Sequence, residues 1–437
     1  LRVQVQRAGG TYQAVTRQDV FSAVPGDFRP VGIALAPDGL SFYICDWNHA
    51  DTKEKVEVGR LLKLTYTGRN HAKPKPVWYL AAALGKEISA TLTELIEALS
   101  HPAQSVRLTA QRQIVKQFHA RQIAGRGDGL SALVTTKLPE EVRRCTRLLV
   151  DSAAAPHARW HALWTLDGMD GGVAARSAIL PACEDPEPSV RRQIIRQLGT
   201  RRAKEAARLL AQALKDADAS VRFQAATALG RIGDSSAVVP LLAAIEDKDE
   251  FSRYAAFTAL NRIGRNDSSA WPAIVRGLDS DRPAIREGTG FALRETYQEP
   301  LVAALAGVVR NAAKPATAAR TDAIRLLAAL HSQTPAWKGE WWAYHPVNAP
   351  PPAKNVKWAC TATIAAVLRE ALNDSSTAVR RAAVEGLSAA HESSEAPRLR
   401  ELFRREEDLE MRRALLLAVA AFNDGEAKNL VASVFAA

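Results

Sequence analysis

The sequence predicts a mainly α-helical solenoid of stacked helix pairs, preceded by a small antiparallel β segment. Three observations carry that prediction. Segments such as "DPEPSVRRQIIRQLG", "DADASVRFQAATALGRIG" and "DSSTAVRRAAVEGL" share an acidic or polar turn, an apolar residue, Arg, and then a small-residue amphipathic stretch. The arginines of this pattern are Arg107, Arg159, Arg191, Arg222, Arg253, Arg286, Arg320, Arg380 and Arg412; from Arg159 to Arg320 the steps are 32, 31, 31, 33 and 34 residues. A fixed period of that size marks a repeat array. The opening stretch "FRPVGIALAPDGLSFYICDWNH", Phe28 to His49, breaks the pattern and reads as two strands joined by a turn.

Taken from the N-terminus, the β segment occupies residues 1–68. The chain opens on Leu1 in a strand-like run, which reads as a fragment or a processed form. Pro37-Asp38-Gly39 supplies a preset φ, a side-chain acceptor and a residue that tolerates the left-handed region, so it joins the flanking apolar runs. "GRLLKLTYTG", Gly59 to Gly68, is a further alternating strand with Leu62, Leu64 and Tyr66 on one side. With "TYQAVTRQDVF" ahead of them, these runs suffice for one four-stranded antiparallel sheet, which is too small to be stable alone. A basic linker, 69–91, follows, and the repeats fill 92–437.

One repeat shows how the pattern folds. In "ASVRFQAATALGRIGD" the positions Val221, Ala225, Ala228, Leu229 and Ile232 form one buried helical stripe. Gly230 and Gly233 are expected to end that helix, with Asp234 or Ser235 capping the next. The next helix has its own stripe, Val238, Leu241, Leu242 and Ile245, and tolerates Pro240 near its first turn. One pair cannot bury both stripes, so pairs must stack. The pattern resembles short HEAT repeats. In that family the repeated Arg bonds an acid or carbonyl of an adjacent turn, which implies Asp216 or Asp218 for Arg222.

Two steps are irregular. Arg107 to Arg159 spans 52 residues and includes "AGRGDG"; Arg320 to Arg380 spans 60. The second excess matches a Trp/Pro-rich insertion, 331–358, carrying Trp337, Trp341, Trp342, Tyr344 and Trp358. Such a cluster either presents an interaction surface or pins the insertion to the repeats.

The formal charge of +11 splits into +2 over residues 1–70 (nine basic, seven acidic) and +9 over the rest (49 basic, 40 acidic). That surplus fits a phosphate backbone, an acidic partner or an anionic surface; equally, the positives recur at one structural position of the repeat. Cys45, Cys145, Cys183 and Cys360 are far apart and read as small hydrophobes, with no metal-finger or redox spacing. His161, beside Trp160 and Trp164, reads as a packing residue. No catalytic motif with a known mechanism is present, and no run of apolar residues is long enough to span a bilayer.

A second resemblance covers the chain in order. "FRPVGIALAPDGLSFYICDW…GRLLKLTYTGR" is similar to the end of the β-propeller in bacterial membrane-bound dehydrogenases related to the quinoprotein sugar dehydrogenases. "LTELIEALSHPAQSVRLTAQRQI", "ARWHALWTL" and "GEWWAYHPVNAPPPAKNVKW" resemble the repeats and insertion that follow it there. The resemblance implies a terminal propeller blade at 1–68, and a periplasmic or exported sugar or alcohol oxidoreductase as the intact protein. It further implies pyrroloquinoline quinone and Ca²⁺ on earlier blades and a c-type haem domain downstream. Arg29 occupies the place of a quinone-binding arginine; the alternative is that it pairs with Asp46. The chain itself carries no C-x-x-C-H and is expected to be non-catalytic. The rival expectation is a monomeric binding scaffold for a protein or glycan, with nucleic acid a third and weaker partner class.

Overall fold

A computed structural model describes residues 2–20, 30–36, 39–47, 59–68, 73–124, 138–311, 316–336 and 355–435. The chain divides into two compact units, Leu1–Leu209 with Asp216–Val221, and Leu210–Lys215 with Arg222–Ala437.

In the first unit, β1 (Arg2–Ala8) and β2 (Thr11–Gln18) pair antiparallel across the Gly9-Gly10 turn, from Arg2 against Gln18 to Ala8 against Thr11, with a register shift between Gln4 and Val5. Strands β3 (Pro30–Leu35), β4 (Ser41–Asp46) and β5 (Arg60–Thr65) form a separate antiparallel sheet in that order. The single four-stranded sheet is thereby corrected. The Thr11–Gln18 strand pairs with the run before it, because a two-residue glycine turn closes a local hairpin at little entropic cost. Of the turn expected between β3 and β4, only Gly39 is among the described residues. Gly39 has φ +68°, and its N–H donates to the Ala36 carbonyl at 3.0 Å; Pro37 and Asp38 lie outside the described residues. Leu62 and Leu64 of β5 are half-buried, in keeping with the alternation. The Asp46 carboxylate accepts from Arg60 Nε at 2.7 Å. Val31, Ile33 and Leu35 of β3 and Leu61 of β5 stay exposed.

Within the expected linker, α1 (Tyr79–Ala83) is helical, and its Tyr79 and Ala82 are buried. Thr91 then caps α2 (Leu92–Ala98) reciprocally: its hydroxyl accepts from the Glu94 N–H at 3.2 Å, and its own N–H donates to Glu94 Oε2 at 2.7 Å. Helices α3 (Gln104–Ala124), α4 (Glu140–Val150), α5 (Pro156–Asp170), α6 (Arg176–Ile179) and α7 (Pro188–Thr200) follow, with α3, α5 and α7 packed side by side. The core between them holds Ile114, Leu163, Leu166, Ile194 and Leu198.

The division between the units passes through α8 (Ala207–Ala213) and α9 (Ala219–Ile232). The second unit continues as α10 (Val238–Ala244), α11 (Glu250–Asn266), α12 (Trp271–Val275), α13 (Pro283–Leu293), α14 (Glu299–Arg310) and α15 (Thr317–Ala329). After the insertion come α16 (Thr361–Ala371), α17 (Thr377–Ala389), α18 (Ala396–Arg405), α19 (Leu409–Ala421) and α20 (Ala427–Phe435). The predicted stripes are buried: Val221, Ala225, Ala228, Leu229 and Ile232 on α9, and Val238, Leu241 and Ile245 across the next helix, with Leu242 half-buried.

The role of Gly230 differs from expectation. The helix runs on to Ile232, and Gly233, with φ +77°, is the left-handed residue that ends it; Asp234 then caps the next turn through the Ser236 N–H. Gly230 is instead a helix-contact residue. A Cβ there would lie 2.7 Å from the Ala259 Cα on α11, a backbone atom that cannot swing away. Replacing Gly230 by Val forces the two helices apart. It is expected to lower stability by about 1–3 kcal/mol, measured by urea denaturation.

Candidate functional site

The repeated turn places an aspartate six residues before the repeat arginine, and both are used twice. Asp185, Asp247 and Asp374 each give their carbonyl to the arginine of their own repeat: Arg191 at 2.7 Å, Arg253 at 2.8 Å and Arg380 at 3.0 Å. Their carboxylates are taken by arginines from further up the chain. Arg222 binds Asp247 in bidentate fashion at 2.6 and 2.8 Å, and Arg191 binds Asp216 in the same way at 2.7 Å for both contacts. One carboxylate oxygen also accepts the backbone N–H two residues on, as in Asp249 to Asp247 at 2.9 Å, which holds the turn. The expectation for Arg222 is thus corrected. Its carboxylate partner is Asp247, 25 residues downstream, because the guanidinium leaves the helix start toward the following turn. Burial alone would raise the Asp247 pKa, but the Arg222 hydrogen bonds and charge and the Asp249 N–H outweigh it, so the carboxyl is held below its usual range.

Arg159 and Arg320 are a second, buried kind. Arg159 pairs with Asp185 and donates from Nε to the Leu149 carbonyl at 3.0 Å; Arg320 pairs with Asp374 and donates to the Val309 carbonyl at 3.3 Å. The others are also engaged. Arg107 donates to the His101 and Pro102 carbonyls, Arg286 to the Ser280 carbonyl, and Arg412 stacks on Phe403. Much of the positive charge at the repeated position is therefore committed to the repeats themselves.

The ladder has a gap. Where Asp would continue it the chain has Ser280, and Arg253 and Arg286 form no ion pair among the described residues. The same two helices carry an aromatic cluster. Tyr254 and Phe257 on α11 have ring centroids 5.1 Å apart, and Phe291 on α13 lies 4.6 Å from Phe257 and 6.3 Å from Tyr254. Arg294 sits over the Phe291 ring at 5.5 Å. Tyr254 is 57% exposed and Phe291 45%, while Phe257 is half-buried, so two of the three rings, in edge-on and tilted contact, face solvent. This cluster is missed by reading the sequence for dense aromatics, because its members are 37 residues apart at the extremes (254 to 291) and meet only through repeat stacking.

A second feature lies in the first unit. Trp164 and Asp167 on α5 and Gln193, Arg196, Gln197 and Thr200 on α7 line a cleft of about 340 Å³. The α7 residues fall at i, i+3, i+4 and i+7, one face of that helix. Asp167 accepts from Arg201 at 2.7 and 2.9 Å and from Gln197 at 3.0 Å. Behind the cleft, His161 is buried, its ring 4.8 Å from that of Trp164 and its Nδ1 3.1 Å from Gln111 Oε1. Burial, with Arg107 and His157 nearby, pushes the His161 pKa down to about 4 from 6.5. The folded state keeps this ring neutral while the unfolded chain protonates it. Stability is therefore expected to fall as pH drops from 6.5 toward 4. Urea midpoints at pH 7 and pH 5 check this, and His161→Gln should flatten the difference.

The sequence-predicted interaction residues are divided. Trp358 anchors the end of the insertion: its Nε1 donates to the Leu330 carbonyl at 2.7 Å, and its ring meets Tyr297 edge-on at 5.6 Å. Trp337, Trp341, Trp342 and Tyr344 lie outside the described residues, as does Arg29. Asp46, the alternative partner for Arg29, is engaged by Arg60. Cys145, Cys183 and Cys360 are buried, the first two pushed up to about 12 chiefly by burial, whereas Cys45 is exposed. Among the described residues no cluster of His, Cys, Asp or Glu could hold a metal, and no helix is long and apolar enough to cross a membrane.

Comparison with known proteins agrees with this geometry at the level of the repeat. Residues 173–261 and 206–294 match the HEAT-repeat family profile. Residues 173–294 are therefore similar to HEAT repeats, and the helices described on either side of them continue the same helix-pair pattern. No curated protein matches it. Similar solved structures include human deoxyhypusine hydroxylase in complex with glycerol, at 21% identity over 65% of this chain and 96% of that one, with a TM-score of 0.27. The phycocyanin lyase complex from Nostoc sp. is 19% identical over 67% and 98% of the two chains, TM-score 0.29. A mutant of Kap121p is 13% identical over 79% and 39%, TM-score 0.39. At these identities and scores none lends its activity to this chain.

Proposed function

We propose that this chain is a non-catalytic interaction scaffold that holds a protein partner against the exposed aromatic cluster of α11 and α13. The observation that carries the reading is the ring cluster of Tyr254, Phe257 and Phe291, whose Tyr254 and Phe291 face solvent where the ladder lacks its carboxylate. Aromatic side chains dominate protein interfaces because they bury large area with little entropy to lose. Arg253 and Arg286, held by turn carbonyls, keep charge available for an acid on the partner. The test is a Tyr254→Ala/Phe291→Ala variant. Because both residues are exposed, its melting temperature should match the parent's, while a co-purifying partner should be lost. Retention of the partner would refute the reading.

A second reading is favoured by the antiparallel β3–β4 pair and the exposed apolar residues of β3. In it the chain is part of a periplasmic or exported dehydrogenase of sugars or alcohols. Residues 1–68 then serve as the terminal blade of a propeller that binds pyrroloquinoline quinone and Ca²⁺, with Arg29 toward the quinone and haem c on a further domain. The repeats position that propeller toward an electron acceptor or a carbohydrate partner, with Trp337, Trp341, Trp342 and Tyr344 as contacts. Dye-linked alcohol oxidation by the product of the whole gene, supplied with quinone and Ca²⁺, separates the two. Turnover supports this reading and its absence supports the scaffold alone.

A further inference from the structure

The α5–α7 cleft has features that neither the repeat nor the aromatic cluster requires. Along one face α7 presents four polar side chains where a repeat helix could as well present Ala. The orphan among them is Gln193, whose Oε1 is buried with no hydrogen-bond partner. A buried acceptor left unpaired is costly and asks for a donor. The charge in the cleft is unbalanced. Asp167 is already neutralised by Arg201 and fixed by Gln197, and these bonds hold its carboxyl ionised against the opposing effect of burial. Arg196, exposed on the rim, has no ion pair among the described residues. Trp164 supplies a half-buried ring held edge-on by His161.

We propose that this cleft seats an extended acidic peptide segment. A backbone N–H of the segment donates to Gln193 Oε1, an Asp or Glu carboxylate meets Arg196, and the intervening apolar side chain packs on Trp164. The volume is at the lower end of the range for ligand pockets, room for a few residues rather than a domain. A peptide fits better than a nucleic acid, which needs several free cations along a phosphate track where the lining offers one. It also fits better than a sugar, whose hydroxyls need several open donors and acceptors. Here the Asp167 carboxylate and the Gln197 amide are already spent. The proposal rests on the scaffold reading but uses a different surface, so either can fail alone.

The test measures fluorescence anisotropy of fluorescein-labelled, acetylated octapeptides with a central Glu-Phe-Glu, Gln-Phe-Gln or Lys-Phe-Lys, titrated with the full chain. A heparin hexasaccharide serves as competitor. The acidic peptide is expected to bind roughly tenfold tighter than the neutral one, and the basic one not at all. Arg196→Ala and Gln193→Leu should each weaken it by about fivefold or more at unchanged melting temperature. Tyr254→Ala/Phe291→Ala should leave it unaltered, which separates this site from the scaffold surface. Equal affinity for acidic and neutral peptides overturns the proposal. So does indifference to Arg196→Ala, binding of the hexasaccharide in place of the peptide, or no binding at about 1 mM.

Discussion

Replacing Arg159 by Met should destabilise the first unit by about 3–5 kcal/mol, the largest loss expected from any repeat arginine. The magnitude follows from what is left behind. Arg159 and Asp185 are both buried, and Asp185 holds its own turn through the Glu187 N–H at 2.9 Å while giving its carbonyl to Arg191. Without the guanidinium, a carboxylate is stranded in a dry site and the Leu149 carbonyl loses its donor. The half-buried arginines should cost less, since water can reach the partner left behind; Arg191→Met is expected to lose about 1–2 kcal/mol. A double replacement, Arg159→Met with Asp185→Leu, removes both charges and should recover much of the loss. Urea denaturation of the four proteins measures this. Equal costs for Arg159→Met and Arg191→Met would show that burial does not distinguish the two kinds of arginine.

Trp271→Ala is the second large effect, also about 3–5 kcal/mol. Trp271 is the largest fully buried side chain among the described residues, and its ring covers Gly264 of α11, where a Cβ would come within 2.5 Å of it. Its Nε1 donates to Gln298 Oε1 at 2.9 Å, tying α12 to the residue that precedes α14. Removal opens a cavity and leaves that amide oxygen without its donor. Filling from the Gly264 side cannot compensate, because the helix backbone sits there. Gly264→Ala with Trp271 retained should also destabilise, since the ring must shift. A neutral Trp271→Ala would mean that the second unit is not packed around this ring.

The repeat, its stripes and the turn chemistry were legible because they are local. Val221 to Ile232 obey helical spacing, and Gly39 and Gly233 mark turns by their chemistry alone. What escaped is non-local. Gly230 reads as a helix stop until α11 is seen beside it. The Asp247 partner of Arg222 lies a repeat away, and Asp218, nearer in sequence, instead caps its own turn through Ser220 at 2.8 Å. The aromatic cluster and the cleft likewise arise by juxtaposition: Tyr254 with Phe291, and Trp164 with Gln193, share no motif. The Trp/Pro insertion is dense in aromatic residues, yet of its Trp and Tyr residues only Trp358 falls among the described residues, and it serves as an anchor.

We infer that repeat arginines hold the helices together while the α11–α13 rings meet the partner. Site-specific photo-crosslinking in the native host tests it most directly, with a benzophenone amino acid in place of Tyr254 and, as control, of the exposed Val239 on α10. One discrete protein adduct is expected from position 254 and none from 239. No adduct at 254, or the same adducts at both positions, would contradict it.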